Sequence, residues 1–108
     1  MARERIRVIM LAGDAHMVAL DDGSHSDYSG TGRGGFPVLH AAALDRHGGL
    51  KGGPYSAGAF PGSGQYGTMT VRDDGRRLRV TLRGLDWQGR RLVGQTFTFA
   101  PCRPAPRA

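Results

Sequence analysis

Between Tyr66 and Phe99 three runs place apolar residues on alternate positions. Met69 and Val71 alternate with Thr68, Thr70 and Arg72. Leu78, Val80 and Leu82 alternate with Arg77, Arg79, Thr81 and Arg83. Val93, Phe97 and Phe99 alternate with Thr96 and Thr98. Successive side chains of an extended chain point to opposite faces, so a period of two specifies strands with one face covered and one open. The breaks fall at Asp73-Asp74-Gly75 and Asp86-Trp87-Gln88-Gly89, residues that favour tight corners. The pattern predicts an antiparallel meander with one apolar face and one face of Arg and Thr. Trp87 reads as a hairpin cap rather than a stacking platform.

The rest of the chain constrains less. At 108 residues there is room for one small domain and one core. Apolar residues make up 39% and glycine contributes 18 positions, so that core is small. Thirteen of the 18 glycines lie between Gly23 and Gly67. One apolar island, Phe36 to Leu44, interrupts that region; its proline and its brevity favour strand over helix. A loop region this long in a compact domain is functional or lacks partner structure. There is no internal repeat, no heptad and no zinc-type Cys/His spacing. Cys102, the single cysteine, lies in a Pro- and Arg-rich tail over 100–108 and reads as a free thiol. No apolar run approaches the ~18–20 residues of a membrane span. The N-terminus shows no signal-peptide cleavage pattern, which points to the cytoplasm.

The remaining organised stretch is Ile6 to His16. An apolar run rises to Gly13 and is followed by Asp14 and His16. Read as a buried strand, it places a carboxylate and an imidazole two residues apart, on one side of an extended chain at the strand's carboxyl end. Carboxylate oxygen and imidazole nitrogen are ligands for hard and borderline metal ions. The ordinary alternative is a turn aspartate beside a partly exposed histidine.

The run Met10-Leu11-Ala12-Gly13-Asp14-Ala15-His16-Met17 resembles the last metal-binding motif of the calcineurin-like metallophosphoesterases, in the Gly-Asp-x-His form of the alkaline phosphatase D (PhoD-like) family. Asp21-Asp22-Gly23, Ser26 to Gly30, Phe36 to Arg46, Lys51 to Ser56 and Gly64 to Gly67 follow in the order seen in bacterial proteins similar to that family. The resemblance covers about residues 6–99. It implies an α+β, predominantly β fold: the C-terminal fragment of a two-sheet sandwich flanked by helices, closed by the β-meander. It implies that Asp14 holds one of two divalent or trivalent metal ions and His16 the other. The activity implied is hydrolysis of a phosphomonoester or phosphodiester by a metal-activated hydroxide. The family's earlier ligand motifs are not in this sequence. The expectation is therefore a fragment inactive alone, completed by a separate N-terminal chain or associating with itself through severed sheet edges.

Four further residues are candidates for a substrate pocket: His25, Asp27 and Tyr28 in the loop after the motif, and Arg33 among glycines. Each has an ordinary reading as well: a solvated loop histidine, an Asx-turn aspartate, a loop tyrosine. Arg33 lacks the helix and the Lys-Ser/Thr end that would make its surroundings a P-loop. His40, inside the apolar island, reads as a partly buried, hydrogen-bonded side chain, and His47 as exposed. The formal net charge is +6, carried by fourteen arginines and one lysine, Lys51. That charge and the Arg-bearing strand face support a second reading, a small basic β-rich module that binds anionic partners. Nucleic-acid sheets interleave aromatics for base stacking, and these positions are Arg and Thr, which weighs against nucleic acid.

Overall fold

The alternation over 66–99 folds as its period dictates. The computed structural model describes residues 7–32 and 34–100. It contains seven strands: β1 (Met10–Ala12), β2 (Met17–Asp21), β3 (Val38–His40), β4 (Ala59–Pro61), β5 (Tyr66–Asp73), β6 (Leu78–Leu85) and β7 (Arg91–Phe99). The last three form an antiparallel sheet in the order β5-β6-β7. Met69 faces Leu82 and Gln95 across it, and Thr70 faces Thr81 and Thr96. Its corners are Asx turns: the Asp74 carboxylate accepts the N–H groups of Arg76 and Arg77, and that of Asp86 accepts those of Gln88 and Arg90.

The second sheet has the order β1-β3-β2-β4. β1 and β3 run parallel, with Leu11 opposite Leu39; β2 is antiparallel to both β3 and β4. All five residues of β2 are buried. Val18 and Leu20, with Leu39 of β3, pack against Val80, Leu82 and Val93 of the meander. Met17, Ala19 and Asp21 alternate onto the opposite face, where loop residues cover them: the Lys51 N–H lies 3.4 Å from the Met17 sulfur and the Ser56 N–H 2.8 Å from Asp21. At Gly84 the two sheets touch so closely that a Cβ would collide with the Val18 side chain. All eight residues of β5 are exposed, and it meets the other sheet at Gly67, which lies against Ala41 and Leu39.

The expectation of a predominantly β fold with a terminal antiparallel meander is met. The helical part of the α+β expectation is corrected: among the described residues there is no helix, and hence none long and apolar enough to cross a membrane. In the island, where alanines favour helix in isolation, Val38–His40 extend the sheet instead and the Ala41 N–H donates to the Ala12 carbonyl at 2.8 Å. β4, inside the glycine-rich region, has no counterpart in the sequence reading. The Cys102 tail lies outside the described residues, apart from Ala100.

Candidate functional site

Residues 13–16 carry the chain from β1 across the carboxyl end of β3 into β2. Asp14 and Ala15 form a turn and His16 is a bend. His16 has φ 56°, the left-handed region, and is the one non-glycine residue with positive φ among the described residues. The extended-chain argument that put Asp14 and His16 on one strand face is therefore corrected: they sit in a tight crossover, with Asp14 exposed and His16 half-buried. The His16 carbonyl accepts the Gly49 N–H at 3.1 Å. Gly48 beside it is wedged between His16 and Gly62, with no room for a Cβ. Left-handed non-glycine backbone is uncommon, is enriched for His, and clusters at functional sites.

A second place collects more chemistry. Asp21 ends β2 with 2% of its surface exposed. One carboxylate oxygen accepts the Gly23 and His25 N–H groups at 2.9 and 3.0 Å. The other accepts the Ser56 N–H at 2.8 Å and the His25 Nδ1–H at 2.7 Å. Burial opposes the charge, but the hydrogen bonds from the His25 ring and the His25, Ser56 and Gly23 N–H groups outweigh it and bring the carboxyl down to about 2. A charged carboxylate only accepts, so Nδ1 of His25 is the nitrogen that donates to it, and the second ring nitrogen, Nε2, is left for other partners.

Asp21 and His25 line a cleft of about 360 Å³ together with Tyr28, Phe36, His40 and Tyr55. Met10, Val38 and His40 belong to the same sheet face as Asp21, so the cleft is floored by that face and walled by the loops that follow β2 and precede β4. Tyr55 meets the His40 ring edge-on at 5.5 Å. Burial lowers the His40 pKa, and its Nδ1 is buried with no partner among the described residues.

Of the four pocket candidates, the structure brings His25 and Tyr28 together at this cleft. Asp27 does not line it: its carboxylate accepts the Ser29 N–H at 2.9 Å, the Asx-turn role. Arg33 lies outside the described residues. Neither Asp14 nor His16 lines the cleft. The sequence reading missed Asp21 and Ser56 as site residues. Asp21 reads as the first residue of a turn, and its only signal is a histidine four positions on.

On the meander's outer face, Thr70, Arg72, Arg79, Thr81, Arg83 and Thr96 line an open groove of about 320 Å³. Arg72 and Arg79 are direct cross-strand partners, and the Thr81 and Thr96 hydroxyls are 2.9 Å apart. The close ion pairs among the described residues, His25–Asp21 and Arg90–Asp86, involve none of the three groove arginines.

Comparison with family models, with curated proteins and with solved structures finds no match to this chain.

Proposed function

We propose that this chain is the C-terminal segment of a metal-dependent phosphoric ester hydrolase of the calcineurin-like, PhoD-like type, and that Asp14 and His16 are metal ligands in it. The observation that carries the reading is the Gly13–His16 crossover: a carboxylate and an imidazole at the end of a parallel strand, with His16 held in left-handed backbone. The donors fit divalent or trivalent metal ions in kind but not in number. Two ligands do not close a site, and among the described residues no group of three or more His, Cys, Asp or Glu is placed to hold an ion. Asp14 and His16 would each supply one ligand, the rest coming from another segment or chain. The bound metals would polarise the ester and activate a water; the chain's own part is to fix two donors on a short, anchored turn.

The DNA directly upstream of the Met1 codon tests this first. It is expected to encode Asp-x-His, Gly-Asp and Asn-His/Asn-Asp elements, in frame or in an adjacent gene; their absence removes the reading. With that upstream part supplied, hydrolysis of an aryl phosphate is expected, and Asp14→Ala and His16→Ala should each lower kcat about 100-fold or more, Asp14→Ala at little cost in stability, since Asp14 is exposed.

A specific observation favours a second reading, a binding module for anionic partners. Arg72 directly opposite Arg79 is a like-charge pair that a bound anion would relieve. If all three groove arginines meet phosphates, log K for single-stranded RNA falls with log salt at a slope of about −2.1. Replacing Arg72, Arg79 and Arg83 with glutamine should remove that dependence. Undetectable binding at low salt would exclude the module.

A further inference from the structure

We infer that the cleft between the Gly23–Phe36 loop and Tyr55 is a binding site for a planar heteroaromatic ring carrying an amino group, the chemistry of an adenine or cytosine base. The inference stands apart from the metal-ligand reading, because neither Asp14 nor His16 lines the cleft. Three features point to such a ligand. The walls are aromatic: Tyr28, 86% exposed at the lip, sits 6.4 Å from Phe36 with the rings tilted 42°, and Tyr55 stands edge-on to His40. Rings set this way present faces on which a flat ligand can stack.

The polar group of the site is built rather than incidental. Asp21 is buried and held by four hydrogen bonds, and it locks the His25 ring with Nδ1 as donor. With Nδ1 turned to Asp21, the tautomer of the neutral form that fits this geometry offers Nε2 as a hydrogen-bond acceptor, which selects a ligand N–H over a carbonyl or a phosphate oxygen. His40, whose pKa burial lowers, adds a neutral ring and not a cation, so the floor does not favour an anion. Finally, Gly52 and Gly53, at φ 66° and 114°, bring bare backbone to the cleft wall. Flat rings are read by such backbone without side-chain obstruction. A volume of about 360 Å³ is within the range of small-molecule sites.

The test is an NMR titration of the full chain, labelled at histidine and tyrosine, with adenosine and with purine riboside, which lacks the exocyclic amine. Adenosine is expected to shift the ring resonances of His25, His40, Tyr28 and Tyr55 saturably, and purine riboside to bind about tenfold more weakly. His25→Asn keeps a donor toward Asp21 and, being shorter, leaves no acceptor at the position of Nε2, so it should erase the difference between the two probes. Tyr28→Ala, at a position 86% exposed, should weaken both. Equal binding of the two nucleosides overturns the role given to Nε2. Absence of shifts at the cleft up to the solubility limit, or shifts confined to the arginine groove, overturns the site.

Discussion

Asp21→Ala is expected to cost about 3–5 kcal/mol, enough to leave a domain of this size largely unfolded at room temperature. The carboxylate is buried, and its removal strands three backbone N–H groups, those of Gly23, His25 and Ser56, together with the His25 ring. A buried donor without an acceptor costs about 1–3 kcal/mol. These donors belong to two segments that this side chain ties together: the turn leaving β2 and the segment entering β4. The further hydrogen bond between them, from the Asp22 N–H to Ser56 Oγ at 2.7 Å, depends on the same approach. Asp21→Asn keeps an acceptor oxygen but puts an amide N–H₂ against donors, so about half the loss is expected. Urea unfolding followed by circular dichroism separates the two variants by their midpoints.

The same carboxylate sets the acid limit of the fold. Its native pKa, about 2, is below the ordinary 3.8, so the folded state holds the charged form more firmly than the unfolded chain does. The corresponding stability, about 2.5 kcal/mol, is complete above pH 4 and is lost as the pH falls through 2. Midpoints measured between pH 5 and 2 should fall for the native chain and flatten in Asp21→Asn by roughly that amount. An unchanged acid profile in the variant would place the acid sensitivity elsewhere.

The two sheets differ in how far the sequence discloses them. The meander is legible because its strands are long, alternate apolar with polar residues and are closed by Asx corners, so pattern and turn chemistry agree. The other sheet is built from strands of three to five residues. β2 is covered on both faces and shows a continuous apolar run, which periodicity cannot assign to strand or helix. β4 is three residues between glycine-rich loops, and nothing local marks it. Site residues divide in the same way. His25 and Tyr28 are conspicuous polar and aromatic side chains in a loop. Asp21 is inconspicuous, because a turn aspartate and a buried clamp have the same local sequence; only its 35-residue reach to Ser56 tells them apart. For Asp14 and His16, the proposed ligands, the sequence singles out the residue types but not their geometry, since nothing before Met17 announces the left-handed turn at His16.

Leu82→Ala is expected to lower stability by about 3–4 kcal/mol, while Met69→Ala, its direct cross-strand partner, costs under about 1 kcal/mol. The two residues sit opposite each other in register, on the same face of the same sheet. They differ in what lies beneath. Leu82 is fully buried against the β2–β3 face, in the cluster with Val18, Leu20 and Leu39. Met69, on the edge strand, stays 47% exposed. If strand pairing alone held the meander in place, the two truncations would cost alike. A large asymmetry identifies packing between the sheets as the joint of the molecule, and Gly84→Val tests that joint from the opposite side. Its added side chain meets Val18 where the sheets touch, so it should destabilise by about 1–3 kcal/mol through overpacking, even though valine is the better strand former. A neutral or stabilising Gly84→Val would mean that the sheets are free to move apart at this point, and the large cost assigned to Leu82 would fail with it.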